Sequence, residues 1–180
     1  MKNVELKVKV DNFNKVNSSL KNIKAKFQQT LKQIDTYFHP AGDPPKGDNL
    51  PDARFKLREI NNRTFELIYY RRPDHEKSKV SDFSVLQLDR KIARQMKNYF
   101  KATLGVKVIV KKVRRFWLYK HTRILLDEVS NLGKFLELET VVKGISLSAA
   151  KKEQLSVIQE LGLNKYKKIA RSYSDLLLKK

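Results

Sequence analysis

Charged and apolar residues alternate along eight stretches of this chain, and three others repeat their apolar residues every three or four positions. The alternating stretches are 5–10, 33–38, 54–60, 64–72, 79–88, 106–119, 122–129 and 135–142. Successive side chains of a strand point to opposite faces, so a period of two predicts strands with one buried face. Eight is the number at which an antiparallel sheet closes around one small ligand. Asn61-Asn62 and Lys120-His121 read as hairpin turns, and Asn131-Leu132-Gly133 joins the last two strands. The helical stretches are 16–31 (Val16, Leu20, Ile23, Phe27, Leu31), 89–104 (Ile92, Met96, Tyr99, Phe100, Leu104) and about 148–161 (Leu155, Ile158, Leu161), the last stopped by Gly162. A short C-terminal turn presents Leu176 and Leu177, and HPAGDPPKGDNLPDA reads as a surface loop before the third strand. With no internal repeat and no linker, residues 1–180 are expected to form one domain.

Which strand face looks inward is the informative question. Arg54, Lys56 and Arg58 lie opposite Phe55 and Leu57; Glu5, Lys7 and Lys9 lie opposite Leu6, Val8 and Val10; Glu137 and Glu139 lie opposite Leu136 and Leu138. Lys112 with Arg114, and Arg123 with Asp127, keep the same spacing. In an ordinary sheet these charges face solvent. Three amphipathic helices, however, need apolar partners, and if they pack outside, the charges turn inward. Such an interior is costly unless it is wet or holds a counter-ion, which a polyphosphate with its metal supplies.

Composition narrows the field. The chain is 41% hydrophobic and 32% charged, which describes a globular protein, and it has no cysteine for disulfides or thiolate metal sites. MKNVELKVKV lacks the apolar core of a signal peptide, and no apolar run is long enough to span a bilayer. A cytoplasmic protein without membrane contact is expected. The formal charge of +20 attracts polyanions, whether nucleic acid, an acidic membrane surface or a small phosphate-rich ligand. His39, His75 and His121 have no metal-ligand spacing and read as surface residues, Phe116 and Trp117 as core, and Tyr173 as packing.

The segments ELKVK, QIDTYF, RFKLREI, ELIYYRRPD, KVSDF, VIVKKVRRFWLY, TRILLDEV, LGKFLELE and SYSDLL follow one another in an order that resembles the CYTH, or triphosphate tunnel metalloenzyme, superfamily, and most closely its class IV adenylyl cyclase branch. The resemblance implies an α+β, predominantly antiparallel β fold: an eight-stranded closed β-barrel with amphipathic helices packed outside. It implies a tunnel that binds ATP or another triphosphate with Mg²⁺ or Mn²⁺. Glu5 and Lys7 match the second acidic and the basic position of the family's Glu-x-Glu-x-Lys pattern, while Asn3 takes the first acidic position. Glu137 and Glu139 resemble the C-terminal acidic pair, and Asp127 the acidic position after Thr-Arg-Ile. The resemblance thus makes Glu5, Asp127, Glu137 and Glu139 the expected metal carboxylates. It makes Lys7, Lys9, Arg54, Lys56, Arg58, Lys79, Lys112, Arg114 and Arg123 the expected triphosphate cations, with Lys7 also able to orient a nucleophile.

The chemistry suits these residue types. Arginine gives planar two-point contacts to phosphate, lysine gives a movable charge, and Mg²⁺ takes one or two carboxylates plus phosphate oxygens and water. Two reactions fit the same cradle: cyclisation of ATP to cyclic AMP and pyrophosphate, or hydrolysis of an inorganic, thiamine or nucleoside triphosphate. A non-catalytic polyphosphate or nucleotide sensor is a further reading, and nucleic-acid binding rests on net charge alone. A monomer or homodimer is expected.

Overall fold

The computed structural model describes residues 2–39, 53–71 and 79–179, and side chains at 3–39, 55–69 and 84–179. The surface loop expected after His39 and the segment with His75 lie outside the described residues. The eight strands are β1 (Lys2–Val10), β2 (Lys26–Phe38), β3 (Ala53–Ile60), β4 (Thr64–Arg71), β5 (Lys79–Leu88), β6 (Val106–Tyr119), β7 (Thr122–Val129) and β8 (Gly133–Val141). The helices are α1 (Asn14–Asn22), α2 (Arg90–Thr103), α3 (Leu147–Glu160) and α4 (Tyr173–Leu178). The fold is α+β, with an eight-stranded antiparallel sheet and four helices. Strand order is β1-β5-β4-β3-β2-β6-β7-β8, with β1 antiparallel to β8 as well as to β5.

Turn chemistry sets the register. Asn61 and Asn62 both take positive φ (51° and 55°), the twist a tight hairpin needs, and Arg58 is brought opposite Glu66. Lys120 (φ 51°) turns β6 into β7 and places Arg114 opposite Asp127.

The helices cover apolar faces. Val16 and Leu20 of α1 and Val157 and Ile158 of α3 pack with Leu6, Val8, Ile124, Leu126, Leu136 and Leu138. Ala93 of α2 is buried with Phe38, Leu57 and Phe65, and Met96 and Phe100 lean on the same cluster. Asp89 caps α2 by accepting from the Ile92 amide at 2.8 Å. Ile92, Tyr99 and Leu155, expected on buried stripes, are exposed instead. No helix among the described residues is long and apolar enough to cross a membrane.

The first helix is much shorter than its apolar spacing predicts. Lys24 adopts φ 57°, the chain leaves the helix, and residues 26–31 join β2. A spacing of four is shared by one helix face and one strand face, so the sequence pattern alone fits both; in β2 a register shift between Phe27 and Gln29 leaves Leu31 in the cavity lining and Phe27 outside it. Pairing with β6 decides between them: Phe27 stands opposite Trp117, and the two rings meet edge-on at 5.2 Å.

Candidate functional site

A cavity of about 610 Å³ is lined by side chains from all eight strands and from Ser172 and Tyr173. Its lining follows the period of two. β2 contributes Leu31, Gln33, Asp35 and Tyr37; β3 contributes Ile60, Arg58 and Lys56; β6 contributes Phe116, Arg114 and Lys112. One end is plugged by a buried cluster of Tyr37, Val110, Val129, Phe135 and Tyr173, with Phe135 and Tyr173 edge-on at 5.0 Å. Exposure rises toward the other end, where Gln87 is exposed and the Arg123 side chain is 40% exposed. Between plug and mouth lies the charge.

Three carboxylates, two buried and one partly exposed, fix the cations. Asp35, opposite Arg58 in the β2–β3 register, accepts from Arg58 Nε at 2.7 Å and Nη2 at 3.0 Å, and from Lys56 Nζ at 2.7 Å. Asp127 accepts the Arg114 fork at 2.7 and 2.6 Å, and the Tyr173 hydroxyl donates to it at 3.0 Å. Glu137 accepts from Arg114 Nη2 at 2.6 Å and pairs with Lys7 at 3.0 Å. The Lys7 ammonium also donates to the Arg171 carbonyl at 3.2 Å and sits 4.0 Å from the Tyr173 ring centre. Two-point guanidinium–carboxylate bonds hold the arginines rigid before any ligand arrives, which lowers the ordering cost of binding.

The expected residues separate into groups. Lys7, Lys56, Arg58, Lys112, Arg114 and Arg123 line the cavity, as do Glu5, Glu137, Glu139 and Asn3. The backbones of Arg54 and Lys79 belong to β3 and β5, but their side chains lie outside the described residues. Lys9, expected among the phosphate cations, is exposed and absent from the cavity lining; its ammonium lies 5.9 Å from the Phe135 ring, because Phe135 faces it across β1–β8 at the plug. Asp127, expected at the metal, is fully buried and not part of the lining, its oxygens taken by Arg114, Tyr173 and, at 3.7 Å, Lys112. Phe116, expected in the core, lines the cavity, and so does Tyr173.

No group of three or more acidic or histidine side chains among the described residues stands close enough to hold a metal. Glu137 is turned to Lys7 and Arg114. Glu5 and Glu139, direct partners across β1–β8, are the adjacent carboxylates of the lining. Two carboxylates fit a single hard divalent cation whose remaining ligands are phosphate oxygens and water. Asp35 is the cavity-lining residue that sequence reasoning missed. Its signal was an acidic residue in the inward series of QIDTYF.

Burial and opposite charge set the protonation states. Burial pushes the Asp35 carboxyl up, but Arg58 and Lys56 outweigh it and hold the group well below its usual value. Glu137 is lowered in the same way, burial being outweighed by Lys7 and Arg114. Arg114 is raised, because Asp127 outweighs its burial. Lys56 goes the other way: burial first, then Arg58, bring it down to about 7 against the pull of Asp35. The Arg58 fork engages both Asp35 oxygens, leaving Lys56 one of them.

An unfolded lysine titrates near 10.4, so between about 7 and 10 the unfolded chain binds more protons at Lys56 and this group's contribution to stability rises with pH. A polyanion favours the ammonium form. Tripolyphosphate affinity is therefore expected to fall as pH rises above about 7, with proton uptake on binding. Calorimetric titration in buffers of different ionisation enthalpy measures the uptake, and Lys56→Met should remove much of it. Uptake unchanged in that variant would take Lys56 out of the linkage.

The CYTH domain model matches residues 1–173. The chain is 29% identical over 177 residues to a candidate adenylate cyclase of Methanocaldococcus jannaschii, covering 96% of this chain and 97% of that protein. Among solved structures, the PH1012 protein of Pyrococcus horikoshii OT3 superposes with a TM-score of 0.76 at 24% identity, covering 97% of this chain and 98% of its own. A candidate adenylyl cyclase of Hippeastrum, described as having a dominant triphosphatase activity, superposes at 0.69 with 14% identity, covering 98% and 95%. The match to the domain model runs from the first strand to the Tyr173 that enters the cavity, and the chain belongs to the CYTH domain family.

Proposed function

We propose that this chain is a metal-dependent enzyme that breaks a phosphoanhydride bond of a triphosphate inside a closed eight-stranded tunnel, and that its reaction is conversion of ATP to cyclic AMP and pyrophosphate. The observation that carries the reading is the cavity itself: Lys7, Lys56, Arg58, Lys112, Arg114 and Arg123 converge from four strands into one space. A triphosphate carries about four negative charges near neutral pH and needs cations on several sides, and fixed cations in a low-dielectric cavity bind it far better than cations in water. Membership of a family with cyclase and triphosphatase relatives supports the same class of chemistry.

Each group then has a task. Arg58 and Arg114, locked by Asp35 and Asp127, grip phosphate oxygens with their remaining donors, and Lys7 and Lys56 neutralise the deeper phosphates. Glu5 and Glu139 would hold Mg²⁺ or Mn²⁺, with the Asn3 amide on the same strand face. The metal, when bound, stabilises charge on the leaving pyrophosphate. In the cyclase reaction the ribose 3′-oxygen bonds to the α-phosphorus as the bond from that phosphorus to the β-phosphate oxygen breaks. Pyrophosphate leaves and the hydroxyl proton passes to solvent. One chain supplies every residue in this scheme, so a cytoplasmic monomer or homodimer would suffice.

Hydrolysis is the second reading, because the charged lining addresses phosphate and reads no base. Incubation with ATP, tripolyphosphate and thiamine triphosphate, each with Mg²⁺ or Mn²⁺, decides by product. Cyclic AMP and pyrophosphate in equal amounts support the cyclase. Orthophosphate without cyclic nucleotide moves the assignment to hydrolase. Binding without any product would make the protein a sensor.

A further inference from the structure

The outside of the molecule carries a charged surface that the cavity does not use. α2 has five cations and no carboxylate, and Arg90, Arg94, Lys97 and Lys101 recur at steps of four, three and four. That spacing stacks them along one helix face, over about 16 Å of its length. None of the five is ion-paired among the described residues, and none lines the cavity. Arg90 donates to the Asn62 carbonyl, which sets the β3–β4 turn, with its exposed Arg63, at the end of the row.

Folding gains nothing from this arrangement. Like charges three and four residues apart repel along a helix, and Arg90 and Lys91 stand in the first turn, where the helix dipole disfavours cations. α2 is held in place by Ala93, Met96 and Phe100, which pack on Phe38, Leu57 and Phe65. On its other flank Tyr99 is 73% exposed, more than any other large apolar side chain described, with Gln95 and Asn98 beside it.

A row of cations next to an uncovered ring suits a single nucleic-acid strand, with phosphates along the row and a base stacked on the ring. A second copy of this chain does not fit, because two such helices repel. A lipid surface fits poorly, because the apolar face of α2 is turned to the core. We propose that α2, extended by Arg63, is a docking surface for single-stranded nucleic acid, outside the sheet and separate from the cavity. It goes beyond the triphosphate reading and does not rest on the reaction in the cavity.

The test is fluorescence anisotropy with 5′-hydroxyl single strands of about 12 nucleotides, RNA and DNA, which offer the cavity no triphosphate end. The variants are Arg94→Gln/Lys101→Gln, Tyr99→Ala and Lys151→Gln/Lys152→Gln. The last removes two exposed charges from α3 and so matches the first in net charge. Parent affinity should fall with salt at a logarithmic slope of about −3, roughly 0.7 for each of four or five phosphates. The α2 double variant should lose about tenfold in affinity and about 1.4 of that slope. Tyr99→Ala should lose about tenfold with the slope unchanged. The α3 variant should stay within about twofold of the parent, and so should tripolyphosphate affinity in all three. Whichever strand binds more tightly identifies the sugar. Equal losses in the α2 and α3 double variants would reduce the binding to net charge and overturn the surface. A duplex bound as tightly as the strand, with Tyr99→Ala silent, would overturn the single-strand assignment. No strand bound by the parent, or phosphatidylserine vesicles bound in its place, would overturn the proposal outright.

Discussion

Replacing Arg114 by alanine is expected to cost about 3–5 kcal/mol of stability and to lower the melting temperature by roughly 10 °C. Arg114 is 8% exposed and hydrogen-bonds two carboxylates, Asp127 at 2.7 and 2.6 Å and Glu137 at 2.6 Å, with Glu139 a third at 3.9 Å. Its loss strands the fully buried Asp127 with only the Tyr173 hydroxyl and a lysine 3.7 Å away. Arg114→Lys should recover part of the loss, since an ammonium cannot reproduce the fork. The double variant Arg114→Met/Asp127→Leu should recover more, because apolar residues often replace a buried ion pair without penalty, yet it should bind tripolyphosphate poorly. Denaturant unfolding and tripolyphosphate titration, measured together, separate the two roles. An alanine variant within 1 kcal/mol of the parent would show that the pair is not sealed from water.

Glu139→Gln is expected to lower metal-dependent turnover by about 100-fold or more, with little change in stability. A bound metal contributes several kcal/mol to the stabilisation of the leaving group, and each 1.36 kcal/mol is tenfold in rate. Glu139 is 21% exposed, lies 3.6 Å from Arg123, and stands directly across from Glu5. The amide keeps its shape and removes one charge, so metal-free tripolyphosphate binding should hold or strengthen. Glu137→Gln should differ: it weakens the holds on Lys7 and Arg114 and so costs stability as well as activity. Turnover with Mn²⁺ alongside melting curves checks both. Full activity in Glu139→Gln would remove this carboxylate from the metal site.

The strands were legible because each carries its apolar and charged residues on alternate positions, and the choice of inward face followed from the helices' need for apolar partners. Lys56 and Leu57 illustrate it: the lysine lines the cavity and the leucine packs with Ala93 of α2. What failed did so for local reasons. Phe27 and Leu31 fit a helix and a strand equally, and only pairing with Trp117 and Arg114 of β6 settles the matter. Lys9 continues the inward period of Glu5 and Lys7, but periodicity cannot show that an aromatic plug ends the cavity before it. The Arg114–Asp127 fork was readable in principle, since the two residues stand equally far from the Lys120-His121 turn. Asp35 gave less, because its cations sit on β3, whose first residue lies 15 positions beyond the end of β2 with no short turn motif in the sequence to set the register.

The C-terminal segment that supplies Tyr173 has a kinetic consequence. Lys7 meets the Arg171 carbonyl 164 residues away, Val4 accepts from Gln154 150 residues away, and β1 pairs with β8. Contacts of such separation pay their loop-closure entropy before they return any stability, so they form late and slowly. On a ribosome, β1 can meet β5 early, but its pairing with β8, and that of Lys7 with Glu137, waits until residues 133–141 have emerged. The hairpins from β3 to β5 and from β6 to β8 are local and can form early. The cavity forms late, and its cations converge only when β1 has met β8 and the segment that supplies Tyr173.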